Sequence, residues 1–206
     1  KMIGLAFILG PLTMLTGTIL LIMGVGLTPF GTDSWVDGVF LTFGFIIMIP
    51  VFLTLANMLG NRAPFLAMLG ALLGLSWGFS TIPAAAKLFQ MDIIQAGMNE
   101  SIWNVMGMTS GWAPLILGSL LGLLAPVVLG IGFAWKGGVS RRTAGLLIVG
   151  GILHVIGIAG GAEIAFVQTH VIAPLAGIAY LVALAPIGFQ YLSGNREVNT
   201  LNVATA

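Results

Sequence analysis

Three ionisable side chains in the second half of the sequence stand among long apolar runs: His154, Glu163 and His170. An imidazole can carry a proton, contact a ligand or coordinate the metal of a haem or chlorin. A carboxylate near a histidine would extend these roles to a proton or cation site. We therefore take these three residues as candidates for a ligand or proton site, and their role depends on the elements that position them.

Those elements are apolar. Hydrophobic residues make up 58% of the 206 residues and charged residues only 6%, whereas a soluble domain carries about 25% charged residues. So few charges cannot cover a soluble surface, and no basic patch for nucleic acid is present. The chain has no cysteine, which excludes disulfides and thiolate chemistry. The composition predicts an all-α, polytopic integral membrane protein.

A membrane-spanning helix needs about 20 mostly apolar residues, and the sequence divides into six such stretches. We predict spans at 2–26, 36–59, 64–88, 113–135, 143–164 and 166–192. Together they form one transmembrane domain, residues 1–192, followed by a polar tail, residues 193–206. The fold class that follows is a six-helix bundle in the membrane.

Charge placement orients this bundle. Most basic residues fall at the start of the chain, in the loops after the second and fourth spans, and in the tail, whereas the acidic residues fall mainly on the other side. The positive-inside rule then places both termini in the cytoplasm, and we expect a bacterial inner membrane. Lys87 is an exception on the acidic side, and we expect its side chain to snorkel to the outer interface.

A weak internal repeat relates the second and third spans to the fourth and fifth. Pro50 aligns with Pro126, and after a small insertion Arg62 aligns with Arg142. Two copies in the same orientation would give pseudo-symmetry about the membrane normal. Shared Gly and Leu composition is the alternative explanation.

Glycines recur at helical spacing, and in lipid such small residues let helix backbones approach closely. They predict helix-packing faces at Gly70, Gly74, Gly78, Gly118, Gly122, Gly157 and Gly161. These helix-packing faces are more numerous than one six-helix bundle needs for its internal contacts, so we expect some of them to face other subunits.

The two histidines are predicted to lie at different depths in the membrane. His154 lies near the middle of the fifth predicted span and His170 near the outer end of the sixth. Their depths differ by more than about 10 Å at 1.5 Å per residue, which argues against a haem bound by both. A neutral His154 bonded to a carbonyl or hydroxyl and an exposed loop carboxylate at Glu163 are the structural alternatives. A tight turn after Glu163 would let that carboxylate meet His170.

The sequence contains no phosphate loop, zinc-protease motif or catalytic triad spacing, so we expect no enzyme, no metal site and no required cofactor. The preferred hypothesis is an accessory or structural subunit that packs through its glycine faces in a larger membrane complex or homo-oligomer. The alternative is a small-solute transporter or substrate-binding membrane component. The second alternative is a redox or photosynthetic subunit with haem or chlorin bound at His154.

Overall fold

The computed structural model describes residues 1–27, 34–97, 113–159 and 164–194. These ranges are helical and contain no β-strand, so the predicted all-α class is confirmed. A single antiparallel bridge joins Leu27 to Ser34. The tail beyond residue 194 and the loop carboxylate Glu163 lie outside the described residues, as does Gly161.

In the described ranges, the predicted spans fall on eight helices and three short helical turns. In chain order the helices are α1 (Met2–Ile22), α2 (Trp35–Gly60), α3 (Pro64–Ser76), α4 (Thr81–Gln95), α5 (Ala113–Leu123), α6 (Ala125–Lys136), α7 (Arg141–Ala159) and α8 (Ala173–Ser193). A 3-10 turn, Trp77–Ser80, joins α3 to α4. A short helical turn, Ala165–Val167, and a π-helical turn, Gln168–Ile172, precede α8.

Five helical stretches of the described chain are long and apolar enough to cross a membrane. They are Met2–Ile22, Trp35–Gly60, Pro64–Gln90, Ala113–Lys136 and Gln168–Ser193. They indicate that the protein is integrated in a membrane. The remaining predicted span falls on α7, which is not among the five, so the count of six spans stays a prediction.

The core of the bundle forms around α2, which packs against α1, α3, α4 and α6. Other neighbouring pairs include α1 with α8, α6 with α7, α7 with α8, and α3 with α5 and α6. Phe52, Leu55 and Leu59 on α2 are fully buried. The first half of α2 lies next to α1 and α4, and the π-helical turn before α8 contacts α1 and α7.

The paired prolines of the suggested repeat sit in different local structures. Helix α2 runs without interruption through Pro50, whereas the span 113–136 is divided at Leu124, just before Pro126. The two loops of the suggested repeat do meet, because Arg62 Nη1 donates to the carbonyl of Lys136 at 3.4 Å. The repeat itself stays a prediction.

Four of the selected glycines contact other parts of the same chain very closely. A Cβ atom placed on each would lie within 3.0 Å of Leu129, Phe52, Phe79 and Trp77 for Gly70, Gly74, Gly118 and Gly122 respectively. Gly78 and Gly157 are looser, with their nearest neighbours at 3.5 Å and 3.6 Å. The four closely packed glycines therefore contact helices of their own chain, which leaves little of these faces for another subunit.

Candidate functional site

A cavity of about 190 Å³ lies between the first half of α2 and its neighbours. Its walls come from α1, α2, α4, α7, α8 and the π-helical turn. The residues that line it are Met14, Thr18, Leu21, Asp37, Leu41, Phe45, Lys87, His154, Gly157, Gln168, Thr169, Ala173, Ala176 and Gly177. From Asp37 to Phe45 it extends about 12 Å along α2 at 1.5 Å per residue. We call it the Asp37 cavity.

An ion pair stands at one end of this cavity. Lys87 Nζ donates to Asp37 Oδ2 at 2.8 Å. The Asp37 side chain is 2% exposed and the Lys87 side chain 21% exposed, so the lysine lies at the mouth and the aspartate behind it. The expected snorkelling of Lys87 to the outer interface stays a prediction, and the structure adds that its ammonium contacts the Asp37 carboxylate in the first turn of α2.

The start of α2 positions Asp37. The Ser34 hydroxyl accepts a hydrogen bond from the Asp37 backbone N–H at 3.2 Å and donates to the carbonyl of Val25 at 2.6 Å. Ser34 thus caps α2 and ties it to the end of α1. In this first turn, the positive end of the helix dipole favours a carboxylate.

Two glycines allow the helices around the ion pair to approach closely. A Cβ atom at Gly17 would lie 3.1 Å from Asp37 Oδ1 and 2.8 Å from the Cβ of Phe40. A Cβ atom at Gly38 would lie 2.8 Å from the Cβ of Lys87. These close approaches bring α1 and α4 against α2 and set the distance between the two charges.

We expect Ser34→Ala to lower the free energy of unfolding by about 1 kcal/mol, because the helix loses its cap and a tie to α1. The matched control is Ser193→Ala, whose hydroxyl donates to the carbonyl of Gln190 at the exposed end of α8. We expect the control to change stability by less than about 0.5 kcal/mol. Unfolding in mixed detergent micelles, followed by tryptophan fluorescence, compares the two; equal losses would contradict the capping role.

His154 lies where the cavity meets an aromatic cluster, which we define as Phe45, Phe52, Trp77 and Tyr180. Its ring centroid is 5.3 Å from that of Trp77, 5.9 Å from that of Tyr180 and 6.2 Å from that of Phe45. Trp77 and Tyr180 are fully buried. Phe45 and His154 also line the Asp37 cavity, so the cluster adjoins it.

Three polar atoms at this junction lack hydrogen-bond partners within the described chain: His154 Nδ1, Trp77 Nε1 and the Tyr180 hydroxyl. The predicted bond from His154 to a carbonyl or hydroxyl is thus not made by Nδ1. A buried polar group without a partner costs about 1–3 kcal/mol. Buried polar groups normally have partners, so these three atoms mark the junction as a candidate site for a polar ligand group.

The π-helical turn forms another wall. Pro174 follows it and cannot donate a helical hydrogen bond, which favours a widened turn just before it. Within the turn, the buried Gln168 side chain donates from Nε2 to the carbonyl of Ile156 at 3.1 Å. This bond links the turn to α7 and holds the amide beside the cavity.

The other two sequence candidates do not join this site. His170 is exposed, stacks on Phe166 with ring centroids 4.1 Å apart, and donates from Nδ1 to the Phe166 carbonyl at 3.0 Å. Glu163 lies outside the described residues, so its suggested contact with His170 stays a prediction. Within residues 1–27, 34–97, 113–159 and 164–194, no three acidic or histidine side chains group closely enough to hold a metal ion.

The chain matches no protein-family model, no curated protein and no solved structure. Its function has to be argued from the chemistry of the cavity, since a fold alone does not specify one.

Sequence reasoning missed most of this site. Asp37 reads as a loop charge near the start of a span, and Lys87 as an isolated interfacial lysine. The available signal was their opposite sign, since a cation that violates the charge rule near a carboxylate on the same side suggests a pair. Gln168, Trp77 and Tyr180 carry no comparable pattern.

Proposed function

We propose that this protein is a non-catalytic membrane component that binds a small polar solute in the Asp37 cavity and takes part in its transport. The observation that carries the proposal is the cavity itself, which joins a buried ion pair at its mouth to His154 at its inner end. Ionisable side chains inside a membrane bundle are costly and are typical of solute and ion pathways.

The irregular helical segments around the cavity support a transport role. The 3-10 turn Trp77–Ser80 contributes Trp77 to the aromatic cluster, and the π-helical turn Gln168–Ile172 contributes Gln168 and Thr169 to the cavity wall. Transporters commonly form their binding sites where membrane helices are interrupted. A break of this kind also supplies a place where a helix can bend between states.

The predicted orientation indicates from which side of the membrane solute would enter the cavity. With both termini in the cytoplasm of a bacterial inner membrane, the Asp37 end is the outer end. The cavity would then receive solute from outside, while the aromatic cluster separates it from the cytoplasmic side.

The other two hypotheses have less support. The accessory-subunit hypothesis relied on spare glycine faces, and the tightest of these glycines contact helices of the same chain. The haem or chlorin hypothesis needs a large planar site, whereas the cavity of about 190 Å³ is smaller than the ~300–1,000 Å³ typical of drug-sized ligands. Aromatic rings also surround His154 at 5.3–6.2 Å.

Single cysteines test whether the cavity is open to water, since the natural chain has none. Thr18 lines the cavity. Thr16 is the matched control, because it shares a face of α1 with Leu9, Leu12 and Ile19, each more than 40% exposed to the surroundings of the bundle. We expect the membrane-impermeant reagent MTSET to label Thr18→Cys in proteoliposomes from one face only.

Labelling of Thr16→Cys should be slower by about tenfold or more, because the reagent attacks the thiolate and an apolar environment disfavours that form. Equal rates at the two positions, or no labelling of Thr18→Cys from either face, would refute the proposed function.

A further inference from the structure

We propose that basic residues around two loops at one end of the bundle bind the phosphate of an anionic phospholipid, whose acyl chains lie along α3 and α6. We call these residues the basic cluster: Arg62, Lys136, Arg141 and Arg142. They are four of the seven lysines and arginines of the chain, and all four are exposed. Lipid binding at this cluster goes beyond the solute-binding proposal and does not depend on the Asp37 cavity.

The two loops hold the basic cluster together. Arg62 follows α2, and its Nη1 donates to the carbonyl of Lys136 at 3.4 Å. Gly137 and Gly138 have φ angles of +73° and +110°, a conformation that favours glycine. A Cβ atom at Gly137 would lie 3.3 Å from Arg62 Nη1. The Arg62 side chain therefore lies against the loop that leads from Lys136 into α7, where Arg141 begins the helix.

The charges of the cluster stand apart from acidic residues. In the part of the chain that the structure describes, no carboxylate contacts any of them, and Lys136 Nζ lies over the Trp135 ring, 4.3 Å from its centroid. The acidic residues of the described ranges, Asp37 and Asp92, lie in the first turn of α2 and near the end of α4. Asp37 is about 35 Å along α2 from the Arg62 loop at 1.5 Å per residue, far beyond the screening length of about 8 Å in physiological salt.

Arg141 and Arg142 lie where a helix favours the opposite charge. They are the first two residues of α7, and the first turn of this helix contains no acidic residue. The Ser140 hydroxyl caps the helix by accepting from the Thr143 backbone N–H at 3.0 Å. The positive end of the helix dipole repels the two guanidinium groups. An anion bound by the cluster would compensate this repulsion.

Apolar side chains beside the cluster favour a lipid over a soluble anion. Arg62 lies just before one candidate span and Lys136 at the end of another, so both lie at the level of the lipid headgroups. Phe65 is 68% exposed and Trp135 71% exposed, and their helices, α3 and α6, pack against each other. Basic clusters at a membrane surface bind anionic headgroups, and the planar guanidinium matches phosphate geometry. Acyl chains would cover the two exposed rings, which a soluble anion leaves bare.

Fluorescence quenching in vesicles tests the proposal. The full-length protein is reconstituted into phosphatidylcholine, and a rising fraction of the lipid is replaced by phosphatidylglycerol or phosphatidylcholine with brominated acyl chains, which quench nearby tryptophans. We expect half-maximal quenching at a mole fraction about tenfold lower for brominated phosphatidylglycerol. This preference should disappear in Trp135→Phe, because the Trp135 ring lies beside Lys136. Equal quenching by the two lipids, or a preference that survives Trp135→Phe, would overturn the proposal.

The double variant Arg141→Gln, Arg142→Gln removes two charges of the cluster. We expect its preference for phosphatidylglycerol to fall to about twofold or less, since each basic residue near an anionic surface contributes roughly fivefold to binding. Arg141→Lys, Arg142→Lys is the matched control, which keeps both charges and should keep a preference of about fivefold or more. A glutamine variant with the wild-type preference, or a lysine variant that loses it as fully as the glutamine variant, would overturn the proposal.

The wild-type protein provides a test that does not require any variant to fold. Raising the salt concentration from about 50 mM to about 500 mM should reduce the preference several-fold, because salt screens exposed charges. Glycerol 3-phosphate at millimolar concentration should leave the preference unchanged, since it carries the phosphate without acyl chains. A preference that salt does not weaken, or that glycerol 3-phosphate abolishes, would show that the cluster is not an anionic lipid site.

Discussion

Lys87→Met should lower the free energy of unfolding by about 3–5 kcal/mol, the largest loss we expect from a single substitution at the cavity. The reason is the burial of its partner. The Asp37 side chain is 2% exposed, so the variant leaves a carboxylate in the bundle without the ammonium that donates to it at 2.8 Å. Unfolding in mixed micelles of a mild detergent and sodium dodecyl sulfate, followed by tryptophan fluorescence, measures the loss.

The double variant Asp37→Asn, Lys87→Met should recover most of that stability, since it removes the uncompensated charge as well. The double-mutant cycle then gives the coupling between the two side chains. Lys136→Met, which removes an ammonium outside the cavity, should cost less than about 1 kcal/mol. If Lys87→Met also lowered the free energy of unfolding by less than about 1 kcal/mol, the pair would behave as an exposed salt bridge. The interpretation of Asp37 and Lys87 as a buried functional pair would then be wrong.

Gly122→Ala should destabilise the bundle by about 1–3 kcal/mol, the cost of overpacking a closely packed core. A Cβ atom at this position would lie 2.6 Å from the backbone nitrogen of Trp77 and 2.7 Å from its Cα atom. These neighbours are main-chain atoms, which cannot rotate away as a side chain can, so α5 has to move from the 3-10 turn. We expect the larger Gly122→Leu to prevent folding altogether, measured as the loss of a monodisperse detergent-solubilised peak.

Gly145→Ala is the matched control for this prediction. Gly145 lies in α7, and a Cβ atom there would meet no atom of another part of the described chain within 4 Å. Alanine is the better helix former by about 1 kcal/mol, so the control should be neutral or slightly stabilising. If Gly122→Ala behaved like Gly145→Ala, the close contact between α5 and the 3-10 turn would be wrong.

The helical class and the positions of most spans were predictable because they depend on local composition. A helix must satisfy its backbone hydrogen bonds internally in lipid, so a long apolar run of this kind has few other structures available. The observed helices begin within a few residues of the predicted spans, as for Trp35–Gly60 against 36–59. The interruption at Trp77–Ser80 has a cause in the sequence, because Pro83 lacks the N–H that would bond the carbonyl of Phe79 in a continuous helix. Its form as a 3-10 turn was not predicted.

The glycine pattern predicted close packing but did not specify the partners. Gly74 lies against Phe52 on α2, and Gly122 against the main chain of Trp77. Both contacts join residues far apart in sequence, and spacing along one helix reveals only which residues share a face. Whether such a face meets its own chain or another subunit depends on how the helices are arranged.

The sequence by itself determined that this is an apolar, helical membrane protein with few charges in its apolar runs, one of which contains His154. Only the tertiary structure decided which charges meet: it placed Lys87 against Asp37, 50 residues earlier in the chain, and His154 beside Trp77 and Tyr180. Hydropathy is a property of a segment and can be summed along the chain. A binding site depends on distances between segments, which helix packing sets through contacts such as those at Gly17 and Gly38.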